Sequence, residues 1–134
     1  MMNHYDMFLI MFISGLLSSM SIWADKLSDV SISLNDVYMS LLMCGWMLFF
    51  MAIYENNYNN MLIGFLSVLI IFVMIRKQLF INSKQYILSM IPHHSMAVLM
   101  SKRLIEKNVD GKLKVLVTNI IKNQEEEIKT MKNL

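Results

Sequence analysis

The sequence is poor in the residues that punctuate and solvate most domains: of 134 residues, four are glycine, one is proline, one is cysteine, and 16% are charged. A lone cysteine, Cys44, leaves no intrachain disulfide framework. No glycine-rich phosphate loop and no Gly/Ser/Pro linker occurs, which removes P-loop nucleotide chemistry and a flexible tether between domains. The formal charge of +2, from 12 basic and 10 acidic side chains, is too small for a phosphate-binding surface, so nucleic acid is not the main partner. What is abundant is apolar surface, at 56% hydrophobic residues. That excludes disorder, and in so short a chain it also counts against a water-soluble globule, whose interior would be small and whose apolar helices would need a protein partner on every face. The fifteen methionines are read first as apolar filler and only then as metal donors.

Basic residues are nearly missing from the first half. Residues 1–75 carry only Lys26, beside the acids Asp6, Asp25, Asp29, Asp36 and Glu55; residues 76–134 carry the other eleven basic side chains. The first half also holds three apolar runs without a charge, at 7–23, 37–54 and 61–75. At 1.5 Å rise per residue, the first two approach the ~20 residues needed to cross a bilayer core. The third is shorter, with Arg76 and Lys77 placed to snorkel. Trp23 and Tyr54 suit an interface. The first run lacks a basic leader, and Ile22 stands where a cleavage site needs a small residue, so it reads as a retained span. Three spans put residues 24–36 and the C-terminal region on the same side. Lys26, Arg76, Lys77 and Lys84 then share that side, which the positive-inside rule makes cytoplasmic.

Residues 82–134 read as a helical hairpin. Asn82 and Gln85 have the spacing of a capping box, a helix runs to about Lys107, and residues 108–111 form a turn in which Gly111 is expected to supply a left-handed residue. A second helix starts near Lys112. Ile87, Ile91, His94, Val98, Ser101 and Ile105 form one seam of the first helix, and Tyr86, Met90, His93, Ala97, Met100 and Leu104 form its neighbour. Leu113, Val117, Ile120, Gln124, Glu127, Met131 and Leu134 form a seam on the second. Two adjacent seams make a wide stripe, which two helices alone leave uncovered, so the hairpin is expected to pair with a copy of itself as a four-helix bundle.

Polar residues interrupt these seams, and burying them unpaired would cost ~1–3 kcal/mol each. Folding the hairpin about a point near residue 110 sets His93 level with Glu127 and Met90 level with Met131. Pro92 frees the carbonyl of Leu88 and is expected to kink the helix. Side chains at His93 and His94 point ~100° apart, so each faces a different neighbour. Three readings fit the cluster: a polar layer fixing register, a metal site, or an acid–base pair. Imidazole with thioether suits Cu(I), and a carboxylate moves the preference toward Zn(II) or Cu(II). Catalysis lacks a nucleophile, and the Glu-x-x-His pattern of di-iron bundles is absent, so no enzyme activity is read from the chain.

Met90-Ile91-Pro92-His93-His94, followed by Ala97, Val98 and Met100, then Ile120, Gln124-x-x-Glu127-Ile128 and Met131, resembles the "domain of unknown function 305" family over about residues 82–134. Residues 1–81 resemble the three-span membrane anchor of some members. The resemblance implies a ferritin-like, extracytoplasmic helical module, linked in some members to copper binding or tolerance. It also implies that His93, His94 and Met131 bind metal, with Met90 and Glu127 as further members of the site. Ser83 departs from the family, which usually has Asp there. The implied location opposes the charge count, and the extracytoplasmic side is the one taken here.

The expectation is therefore an all-α integral membrane protein. Residues 1–81 form a three-span membrane region in the lipid bilayer, and residues 82–134 form a hairpin that self-associates as a homodimer. The expected function is copper buffering or tolerance, with zinc as the less favoured ion. His93 and His94 would give nitrogen, Met90 and Met131 sulfur, and Glu127 a hydrogen bond orienting an imidazole. The alternative is a membrane scaffold or assembly protein in which the same residues are only a structural polar layer.

Overall fold

The structure is a computed structural model that describes residues 3–107 and 109–134, apart from the side chain of His4. Its order is α1 (His4–Leu17), two 3₁₀ turns (Met20–Ile22 and Leu27–Asp29), α2 (Leu34–Tyr54), α3 (Tyr58–Lys77), α4 (Ser83–Ile105) and α5 (Gly111–Lys132). The described residues contain no strand. Three stretches are long and apolar enough to cross a membrane: Tyr5–Ile22, Leu34–Tyr54 and Tyr58–Lys77. These are the three expected runs with shifted ends. The α-helix of the first stops at Leu17, and a 3₁₀ turn carries the apolar stretch onward. The third starts earlier because Asn57 caps it, its side chain accepting from the Asn60 amide at 3.2 Å. The Asn-rich connection turns as expected, with Asn56 left-handed at φ 54°.

The chain forms two compact units, and they do not divide at a single point in sequence. One comprises Met1–Ser19 with Leu34–Asn82; the other comprises Met20–Ser33 with Ser83–Leu134. The connection between α1 and α2 thus belongs with the hairpin.

In the first unit α2 packs against both α1 and α3. Small residues let the backbones approach, as in membrane helix pairs, where close van der Waals packing replaces the hydrophobic drive. A Cβ added to Gly64 would lie 2.6 Å from the amide nitrogen of Phe49, and one on Gly45 would lie 2.8 Å from Ser67 Oγ. Hydroxyls are satisfied locally: Ser67 donates to the Gly64 carbonyl at 2.7 Å and Ser40 to the Asp36 carbonyl at 2.9 Å. Ser19 donates to the Asp36 carboxylate, tying the end of the first apolar stretch to the start of the second. Tyr38 donates to the Leu79 carbonyl at 2.7 Å, just past the end of α3. Large apolar side chains such as Phe50, Phe72 and Ile70 point outward, as a lipid solvent allows and water disfavours.

In the second unit α4 and α5 form the hairpin, and Pro92, Ser95, Val98, Ser101, Val117 and Ile128 are its buried residues on the two helices. Three expectations change here. The seam of α5 is turned: Val117 and Ile128 are buried, whereas Leu113, Glu127 and Leu134 are exposed. Of the two α4 seams, the one carrying Tyr86, His93, Met100 and Leu104 leaves those four side chains exposed. The reason is that segment 20–33 covers the opposite flank of α4, where Ser95 sits, so the helix buries one side more than foreseen. Finally, Gly111 is the first residue of α5 and has no positive φ; helical geometry, not a left-handed turn, explains its place. Asn108, the first residue of the expected turn, lies outside the described residues.

Candidate functional site

The proline in α4 sets the local geometry. Pro92 has no amide to offer the Leu88 carbonyl one turn earlier. That carbonyl instead accepts the hydroxyl of Ser31 at 2.6 Å, so the helix runs unbroken from Ser83 to Ile105. Pro92 itself is fully buried.

Two residues beyond, His94 leans on α5. Its Nδ1 lies 2.9 Å from Glu127 Oε2, with the imidazole side chain 13% exposed and the carboxylate 55% exposed. The contact is close but misaligned, and His94 Nδ1 is a buried polar atom without a hydrogen bond. The expected partner of Glu127 was His93, one residue away. His94 takes that place because its seam, shared with the buried Val98, is the one that faces α5. The neighbouring side chain, ~100° further round, goes to solvent: His93 is exposed, and the two ring centres are 6.2 Å apart. Met90 and Met131 are half-buried on the same two helices. Among the described residues no group of three or more His, Cys, Asp or Glu side chains gathers to hold an ion. His94 and Glu127 are a two-donor pair.

The strongest polar cluster comes from residues that the sequence reading left unassigned. Asp29 is 3% exposed and ion-paired with Lys132 of α5. It also accepts from Ser95 of α4 at 2.7 Å. Ser95 is fully buried and in turn accepts the Asp25 amide at 3.0 Å. Lys102 joins Asp25 at 2.7 Å and Glu125 at 3.2 Å. Burial works against the charge of Asp29, but Lys132, Ser95 and Ser28 outweigh it, and the carboxyl is held below its ordinary value. The bond to Asp25 holds the Lys102 ammonium above its ordinary value against the opposing effect of burial, with Glu125 adding to the rise. A crevice of about 400 Å³ opens beside this cluster, lined by Asp25, Asp29, Ser95, Glu125 and Lys132 among others. The only signal in the sequence was the shared side of residues 24–36 and the tail, and that signal names no contact.

Along the chain, three apolar helices are followed by a hairpin of two amphipathic ones, and comparison with known sequences places the hairpin in a family. Residues 81–134 match the family described as "Domain of unknown function (DUF305)". An uncharacterised protein of Acanthamoeba polyphaga mimivirus is 41% identical over 128 residues, covering 92% of this chain and 84% of the relative. The chain belongs to the DUF305 family. No solved structure gives a significant match.

Proposed function

We propose that this is a membrane-anchored metal-binding protein that buffers copper or confers tolerance to it. The observation that carries the reading is His94 Nδ1, sheltered from water, without a hydrogen bond and 2.9 Å from the Glu127 carboxylate. A buried polar atom left in that state calls for a partner, and an imidazole nitrogen beside a carboxylate is a metal-donor set. Met90 and Met131 on the same two helices offer sulfur, which favours Cu(I) over zinc. Exposed His93 offers a second nitrogen from outside the pair. In this reading the three apolar helices cross the bilayer, the hairpin lies on the extracytoplasmic side, and a second copy completes a four-helix bundle. No catalytic role is assigned.

The scaffold reading is favoured by a different observation. The Asp25–Asp29 cluster is already satisfied by Ser95, Lys102 and Lys132, and the described residues gather no three-donor group. Cu(I) titration of the full chain in detergent against a competing chelator separates the two. Tight binding that is lost in His94→Ala and weakened in Glu127→Gln supports the metal reading. No competition by the wild-type chain leaves the scaffold.

A further inference from the structure

Segment 20–33 lies outside the residues that match the family, yet it grips both helices of the matched module. The grips form two rungs. Asp29 joins Ser95 of α4 to Lys132 of α5, and Asp25 holds Lys102 of α4, which also bonds Glu125 of α5. From one rung to the other, each helix advances by seven residues, about 10.5 Å of rise. The two rungs therefore hold one common register. The first places a buried contact next to His94 in sequence, through Ser95, and a partly buried one next to Met131, through Lys132. The second ends at Glu125, two residues from Glu127.

We propose that Asp29 is a positioning residue: by bridging α4 and α5 through Ser95 and Lys132, it sets the height at which Glu127 meets His94. The mechanism is geometric. A slip of one residue along α5 moves each side chain 1.5 Å and turns it ~100°, which would carry Glu127 away from the imidazole. Apolar packing alone resists such a slip weakly, because besides Pro92 the buried apolar residues on the two helices are Val98, Val117 and Ile128, and of these three Val98 alone is fully enclosed. A buried carboxylate held to α4 by one hydroxyl and to α5 by one ammonium resists such a slip, since losing either leaves its charge short of a partner that Ser28, its neighbour in sequence, does not replace. The polar partners of Asp29 are Ser28, Ser95 and Lys132, none of them a candidate donor. The role rests on the metal reading only for the identity of the site it serves.

The test reads register directly, in the full chain in detergent, on a Cys44→Ser background carrying His94→Cys and Glu127→Cys. Dibromobimane fluoresces when it bridges two nearby thiols. Asp29→Asn keeps the shape and removes the charge, and Lys132→Gln removes the same tie from the α5 end. Each is expected to lower the bridging yield by about fivefold at unchanged helical content, and Asp29→Glu to recover most of it. Bridging that stays at the parent level in Lys132→Gln, or in a folded Asp29→Asn, overturns the proposal. If Asp29→Asn does not fold, Lys132→Gln, altered at a partly exposed position, decides alone. With the natural His94 and Glu127 in place, Asp29→Asn should weaken Cu(I) binding about tenfold. A chain that loses bridging but never binds Cu(I) keeps the positioning role and discards the metal reading; Cu(I) binding with unchanged bridging does the reverse.

Discussion

Ser31 donates its hydroxyl to the carbonyl of Leu88, 2.6 Å away, and so replaces the helical bond that Pro92 cannot make. The proline and the serine lie on different segments, and each accounts for the other. An unsatisfied carbonyl at Leu88 would cost ~1–3 kcal/mol, and a helix interior interrupted by proline would bend or break there.

Ser31→Ala should therefore destabilise the hairpin unit by about 1 kcal/mol. In a Pro92→Ala background the amide of residue 92 returns to Leu88, and Ser31→Ala should then cost little. Thermal unfolding of the two single variants and the double variant measures the coupling. Additive effects would show that the hydroxyl and the proline act independently.

Acid should loosen the same unit. The folded-state pKa of Asp29 lies below its ordinary value, so its contribution to stability is complete above that ordinary value and is lost as pH falls through the folded one. The window opens below about pH 4. The helix signal of the wild type should melt at lower temperature as pH falls through this range, and Asp29→Asn should flatten the dependence. An equally steep dependence in Asp29→Asn would assign it to other carboxylates.

Two glycines should respond in opposite directions. In Gly64→Ala the new Cβ meets the backbone of Phe49 at 2.6 Å, and backbone cannot swing aside as a side-chain tip can. Separating α2 from α3 should cost about 1–3 kcal/mol. Gly111→Ala meets nothing within 4 Å and sits at the start of α5, so it should be neutral or stabilising by up to about 1 kcal/mol. Denaturation in mixed micelles, followed by helix signal, ranks them. A stabilising Gly64→Ala would contradict the close approach of the two helices.

Residues 81–134 made alone should be poorly helical, because Lys102, Lys132, Ser95 and the Leu88 carbonyl all lose partners supplied by segment 20–33. Two helices with so small an apolar core do not bury enough surface to sustain themselves. Joining segment 20–33 to this fragment through a flexible linker should restore helicity, measured by circular dichroism. Full helicity in the bare fragment would reduce the rungs to decoration.

The three apolar helices and the hairpin were legible because both leave simple marks, long uncharged runs and a 3.6-residue period. Their ends were less so. Asn57 capping α3 and the break after Leu17 depend on local bonds, and a hydropathy run does not report such bonds. The pairing of His94 rather than His93 with Glu127 was missed by one residue. Counting back from a turn fixes height to within a residue or so, and one residue on a helix is more than a quarter-turn of direction. Asp29 was visible only as one acid among five in the first half of the chain. Its partners on α4 and α5 are 66 and 103 residues away, and no local pattern encodes separations of that size.

The unequal shelter of the His94–Glu127 contact has a kinetic corollary. Imidazole is walled in at 13% exposure, whereas its carboxylate neighbour stands 55% open to water. On the metal reading, an ion held there would exchange by rotation of the Glu127 side chain, a picosecond-to-nanosecond motion for a surface residue, while both helices stay docked. The doorway turns on one hinge and the wall behind it stays shut.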